Sequence, residues 1–296
     1  MSLVNQFRSE QPRSALVAPS ALVRQTQQRK QHQQWLIYGA RLLLVIGVLL
    51  FWQFGSGTLL DSSFLSNPLA ILHQTIIWLS DGTPWYESTL VMNTAVTLEE
   101  TLLGLLFGII SGLILGFLFG LQPTLERIFS PFIIVLNSIP KIALAPLFIL
   151  WLGIEIPMKV VLAAVTVFFL IFLNTLNGVR SVDQHLIDAV RLMGGRKRDV
   201  IFKVILPSAT GSVLTGLHVA IPYALIGAIV GEQIGANRGI GYLIQSCGEA
   251  FNPAGVFSAL LVLTLIAALL NAIVNLIDHK TSHWKASLKL SSSNQS

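Results

Sequence analysis

Six stretches of roughly 20 mostly apolar residues run through this chain, at about Trp35–Phe54, Leu102–Leu121, Phe132–Leu152, Met158–Asn177, Val213–Glu232 and Val256–Leu276. Each is long enough to cross the ~30 Å hydrocarbon core of a bilayer as an α-helix. With 53% hydrophobic and only 11% charged residues, and a mean hydropathy of +0.70 over 296 residues, a soluble domain is excluded. Continuous runs also argue against an outer-membrane barrel, whose strands alternate over about ten residues. The sequence therefore predicts an all-α polytopic membrane protein with six transmembrane helices.

The basic residues orient those helices. Fifteen of the 19 Lys and Arg fall in the N-terminal tail (Arg8, Arg13, Arg24, Arg29, Lys30), at Arg127, between Arg180 and Lys203, and in the C-terminal tail (Lys280, Lys285, Lys289). With six spans these four regions share one side, which the positive-inside rule makes the cytoplasm. Both termini are then cytoplasmic, and the net charge of +5 reflects topology rather than nucleic-acid binding. The expected organisation is a disordered tail over 1–34, a first transmembrane helix and outer loop over 35–87, a core of five transmembrane helices over 88–280, and a C-terminal tail over 281–296.

Other signals are sparse. The tail shows no short apolar core with a small-residue cleavage site, so no cleavable signal peptide is expected. Cys247 is the only cysteine, and six scattered histidines lack metal-ligand spacing, so no metal site is proposed. In the outer loop Leu72, Ile76 and Leu79 recur at helical spacing beside Trp78, Trp85 and Tyr86, which fits either a short helix in the outer interface or a packed loop.

Gly104, Gly108, Gly112, Gly116 and Gly120 recur every fourth residue in the second span. They form a small-residue groove along one helix face, where a neighbouring backbone can approach closely. Each glycine sacrifices about 1 kcal/mol of helix propensity relative to alanine, so a close contact is expected there, within the subunit or across a dimer.

Between the fourth and fifth spans lies a basic polar segment that lipid-facing helices do not require. Leu186, Val190 and Met193 make one apolar stripe at helical spacing, while Asp188 and Arg191 lie off it. Gly194 and Gly195 can end that helix. A second amphipathic stretch follows through Val200, Ile201, Val204 and Ile205, and Pro207 marks the return to the membrane. A short helical hairpin on the inner surface is predicted, available to a cytoplasmic partner.

This segment resembles the EAA loop of ABC-importer permeases, in which Glu-Ala-Ala is followed six residues later by Gly and ends in a Leu-Pro. Asp188 stands for the Glu and Val190 for the second Ala, while Ala189, Gly194, Leu206 and Pro207 are in register. The stretches Ser138-Ile-Pro-Lys-Ile-Ala-Leu-Ala-Pro146 and Gly231-Glu-Gln-Ile-Gly-Ala-Asn-Arg-Gly-Ile-Gly-Tyr242 are similar to the nitrate/sulfonate/bicarbonate (taurine-type) branch. The resemblance spans about Leu90–Ile277 and implies a type I importer permease fold. It also implies a bacterial inner-membrane location, a homodimeric pore, two cytoplasmic ABC ATPase subunits and an extracytoplasmic binding protein.

In that family the first helix of the loop, here about Leu186–Met193, docks on the ATPase. The residues expected to couple are thus Leu186, Asp188, Ala189, Val190, Met193, Gly194, Leu206 and Pro207. The chain holds no Gly-x-x-x-x-Gly-Lys-Ser/Thr loop and no glycine followed by lysine, so ATP and its Mg would be bound by the partner. No cofactor or catalytic residue is expected in this chain.

For the translocation path the candidates are Lys141, Pro140, Pro146 and Glu232. An ionisable group within a span is by default a functional candidate, and the two prolines would free backbone carbonyls beside it. Lys141 could offset an anionic solute, or pair with Glu232. Nitrate, an alkanesulfonate such as taurine, bicarbonate or a thiamine-precursor pyrimidine would all suit the branch. The rival reading is an ion-coupled secondary transporter, which would show related halves with broken helices at matching positions. No such repeat is present, and that reading leaves the hairpin without a role.

Overall fold

The backbone of the helical core is decided by glycine. In the computed structural model, which describes residues 19–57 and 65–281, helix α3 (Thr89–Leu121) and helix α6 (Ile156–Arg180) lie parallel in a constant register. Gly104 faces Ala163, Gly108 faces Val167, Gly112 faces Ile171, Gly116 faces Thr175 and Gly120 faces Val179. A Cβ added at any of the five would sit 2.5–2.9 Å from the opposing Cβ, closer than carbon atoms pack. The close contact expected of this stripe is therefore made within the subunit.

Helix α9 (Leu206–Gly235) packs antiparallel on the other side of α6 by the same device. Gly178 meets Ser212, Asn174 meets Gly216, Ala163 meets Gly227 and Lys159 meets Gly231. Helix α6, with Leu162, Ala163, Val167 and Ile171 fully buried, is thus the central post of the three. Helices α10 (Ile240–Glu249) and α11 (Pro253–Thr281) close the bundle. Their side chains Ile240, Leu243, Cys247, Ala259, Val262 and Ile266 join Val167, Ile221 and Leu225 in the largest apolar cluster.

Among the described residues, five helices are long and apolar enough to span a bilayer. The sixth expected span, Phe132–Leu152, is not one continuous helix. Pro140 and Pro146 lack the N–H groups a helix interior requires, and the stretch becomes α4 (Pro123–Ser138) and, after a 3₁₀ turn at Lys141–Leu144, α5 (Ala145–Leu152). The two arms bend by 83°. Helix α5 docks on the start of α6 through Ala145, Phe148, Met158 and Leu162. Gly153 at φ 75° ends it, its N–H bonded to Ile149 O at 2.9 Å.

Other spans are longer than hydropathy alone indicates. Helix α3 starts at Thr89, capped by Ser88, thirteen residues before the apolar run at Leu102. The outer segment forms helix α2 (Pro68–Ser80) capped by Asn67. It does not lie free at an interface: Trp78 is buried in the main cluster, and Thr75 Oγ1 lies 2.7 Å from Ser258 Oγ on α11.

Helix α1 (Pro19–Gly55) forms a separate unit. It contains the apolar stretch Leu36–Gly55 and reaches back to Pro19, into the part of the sequence expected to be a disordered tail. Arg8, Arg13, Lys285 and Lys289 lie outside the described residues, as do 1–18 of the expected tail 1–34 and 282–296 of the expected tail 281–296.

Candidate functional site: a polar hairpin and a broken span

The polar segment folds into the expected hairpin. Helix α7 (Gln184–Leu192) opens with Asp183, whose side chain accepts the His185 N–H at 2.8 Å. It ends at Gly194 with φ +81°. Gly194 N donates to Arg191 O at 3.0 Å and Gly195 N to Val190 O at 2.9 Å, the paired bonds of a Schellman motif that needs a left-handed residue at its centre. Gly194 has open space where a Cβ would go, whereas at Gly195 one would meet Val190 Cγ1 at 2.6 Å. The two glycines are therefore required for different reasons, conformation and space.

Helix α8 (Lys197–Val200) follows, with Asp199 accepting from Arg196 N at 2.9 Å and pairing with Lys203 at 2.7 Å. It runs through a π turn at Ile201–Ile205 into α9. Pro207 has no N–H to continue an α-helical ladder, and Leu206 N bonds instead five residues back to Ile201 O. The hairpin's second arm and the fifth span thus form one continuous helical rod, Lys197–Gly235. Leu206 and Pro207 sit at this joint rather than on α7.

The expected stripe divides. Val190, with Ile187, turns inward onto Val179, Val200, Ile205 and Ala209, a cluster that also takes in Phe117 and Leu121. Leu186 and Met193 stay exposed, and Leu192 joins them. Leu192 and Met193 are 89% and 86% exposed, which leaves two large apolar side chains at the tip of the helix. Asp188 and Ala189 are on the solvent side; Asp188 accepts from Gln184 Nε2 at 3.0 Å and lies 3.5 Å from Arg191. The hairpin is thus bolted to the ends of α3, α6 and α9 while α7 presents an uncovered edge. Arg180, near the base, binds the buried Glu126 of α4.

The second candidate lies at the α4–α5 break. Lys141 Nζ donates to Asn137 O and to Asn137 Oδ1 at 3.2 Å, and stands 4.8 Å from the centroid of the Phe169 ring of α6. A lysine over an aromatic face keeps its charge partly compensated without an acid. Pro140 and Pro146 are exposed beside it. Lys141 and Glu232 are not partners. Glu232 is buried in α9, with its Oε1 accepting from Thr97 Oγ1 at 2.7 Å and its Oε2 from Gly241 N at 2.6 Å.

Sequence reasoning passed over the buried ion pair beside Glu232. Lys159 Nζ lies 3.2 Å from Glu100 Oε1, with side chains 6% and 0% exposed. The signal was available: both residues flank apolar runs, and an ionisable group there requires a partner.

Residues 104–283 match the family described as the binding-protein-dependent transport system inner membrane component. The chain is 31% identical over 243 residues to the formylaminopyrimidine transport permease protein ThiX of Halalkalibacterium halodurans, covering 82% of this chain and 94% of that protein. It is 31% identical over 261 residues to the putative aliphatic sulfonates transport permease protein SsuC of Escherichia coli, with 87% and 96% covered. The taurine transport system permease protein TauC of Escherichia coli is 28% identical over 241 residues, with 81% and 87% covered. Among solved structures, the MetNI methionine ABC transporter in an inward facing conformation superposes with a TM-score of 0.58 at 22% identity. That match covers 64% of this chain and 94% of the other, and speaks for the fold.

Proposed function

The chain belongs to the inner membrane components of binding-protein-dependent transport systems, the permease subunits of ABC importers, and from that premise we propose how it works. It is a multi-pass inner-membrane protein of type I importer permease fold, and not the subunit that hydrolyses ATP. In our reading two copies form a pore that takes a small anion of the sulfonate or taurine type from an extracytoplasmic binding protein. Two cytoplasmic ATPase subunits drive it, and both chain termini lie on their side of the membrane.

The observation that carries this reading is the hairpin. A short helix with two large apolar side chains almost bare at its tip, fixed by a Schellman turn and by an apolar base, is a rigid probe lacking a socket. Such a patch at the end of an otherwise polar segment marks a protein contact. The ATPase supplies the socket, and closure of the ATPase pair moves α7 and, through the continuous rod, α9. The sulfonate relatives and the ammonium of Lys141 at the broken span, which meets Asn137 and Phe169 but no carboxylate among the described residues, support an anionic solute.

Purification of the permease with the ATPase encoded beside it should give two copies of each. Reconstituted vesicles supplied with the binding protein should take up radiolabelled taurine on ATP addition, and uptake should survive an uncoupler. Uptake that collapses with the proton gradient, by a permease without ATPase, would favour the ion-coupled transporter instead.

A further inference from the structure

Helix α10 begins without a cap of its own. The residue before it is Gly239, at φ +113° and with no side chain to offer, yet the amides of Gly239, Ile240 and Gly241 each find a side-chain acceptor. Gly239 N donates to Asn93 Oδ1 at 2.6 Å, Ile240 N to Thr97 Oγ1 at 2.8 Å and Gly241 N to Glu232 Oε2 at 2.6 Å. The three acceptors come from two other helices, α3 and α9, and all are buried. Asn93 is itself held by Thr89 O at 2.6 Å. Glu232 adjoins Glu100, which pairs with Lys159. A Cβ at Gly239 would run into the Glu232 carboxyl group, and one at Gly241 would lie 2.5 Å from Ile229 O.

Side chains thus do at α10 what a local N-cap ordinarily does, with the difference that they tie the helix to the far end of the bundle. Glu232 occupies the last turn of α9, and α9 is continuous with the coupling hairpin at its other end. One rod therefore ends in the hairpin on one side and in the α10 clasp on the other. The remaining hold on α10 is its apolar face, Ile240, Leu243 and Cys247, with Tyr242 and Ile244 packed against the same cluster.

We propose that Asn93, Thr97 and Glu232 are positioning residues that seat α10 as a lid at the end of the permease opposite the hairpin, and that α9 makes the seating of this lid follow the position of the hairpin. This rests on the importer reading for its second half only. The lid carries its own reporter: Cys247, the sole cysteine of the chain, is buried on the inward face of α10. Burial also pushes its thiol pKa up, and thiolate is the reactive form, so a seated lid reacts slowly.

The test is the rate at which a membrane-impermeant maleimide modifies Cys247. In membranes holding the permease without ATPase, Thr97→Val and Glu232→Leu should each raise the rate at least tenfold over the unsubstituted chain, and Thr97→Ser should restore it. Membrane insertion is checked by protein level and size-exclusion profile. In the assembled importer the unsubstituted rate should differ between nucleotide-free and vanadate-trapped states, while Thr97→Val should react fast in both. Latch variants that insert normally yet react as slowly as the unsubstituted chain would overturn the latch. A Cys247 rate indifferent to nucleotide in an importer that hydrolyses ATP would overturn the link through α9. Failure of the permease to bind any ATPase would instead refute the importer reading and leave the first arm standing on its own result.

Discussion

Lys159 of α6 holds its ammonium 3.2 Å from Glu100 of α3, with the two side chains 6% and 0% exposed. Glu232 of α9 stands close enough to feel both, so the three helices that glycine packs together also share one buried charge cluster. Two carboxyl groups and one cation make this an unequal arrangement. Lys159 is the only cation that the structure brings to either acid among the described residues, whereas each acid has the other as a neighbour.

The asymmetry predicts unequal mutants. Lys159→Met leaves two buried acids without a cation and should destabilise the bundle by about 3–5 kcal/mol, as loss of one partner of a buried pair does. Glu100→Gln leaves the lysine facing Glu232 and should cost clearly less. The double variant Lys159→Met with Glu100→Leu should recover much of the loss, because removing both charges also removes their desolvation. Thermal unfolding of the detergent-solubilised permease, followed by size-exclusion, orders the three. If Lys159→Met were as stable as the starting chain, the cluster would have no structural weight.

Lys141 is expected to act differently, since it lies at a break rather than in a packed interface. Lys141→Met should lower uptake of radiolabelled taurine at low concentration about tenfold, the effect of roughly 1.4 kcal/mol lost at the solute. Lys141→Arg should retain most of the uptake. Copurification of the ATPase should be unchanged in both, because the residue is far along the chain from the hairpin and shares no contact with it. Undiminished uptake in Lys141→Met would remove the lysine from the solute path.

How much of this was readable from the residues varies with the physics involved. The Gly104–Gly120 stripe announced a close helix contact because its spacing equals the helical repeat, but no spacing rule names the partner face. That Ala163, Val167, Ile171, Thr175 and Val179 form it follows only from the packed bundle. The hairpin was legible down to Gly194, since glycine, polar capping and proline are local signals. Val190 packs onto the protein's own base while Leu186 and Met193 stay exposed, a division that a stripe drawn by periodicity alone does not express. The broken third span was concealed by hydropathy, which sums residues without asking whether Pro140 and Pro146 allow one helix. Glu232 was noticed as a charge, but its partners Asn93 and Thr97 lie far away in sequence and carry no motif.

Gly194 offers the most discriminating substitution, because its surroundings are open and its backbone is not. With nothing within 4 Å of a would-be Cβ, a side chain there meets no clash; the whole cost lies in φ +81°. Asparagine visits that region readily and valine does not. Gly194→Asn should therefore keep most ATP-driven uptake, Gly194→Ala should lose part of it, and Gly194→Val should lose nearly all. For a single residue the left-handed penalty is about 1–2 kcal/mol, too little to unfold a bundle held by α3, α6 and α9, so membrane levels should stay level across the series. The penalty is enough to shift α7 out of its Schellman turn and, with α7 docked as proposed, to move Leu192 and Met193 away from the ATPase. Solute-stimulated hydrolysis should then fall in the same order as uptake, since both pass through the same helix. Equal uptake in all three variants, measured beside equal stimulated hydrolysis, would show that the turn at Gly194 does not position the coupling helix.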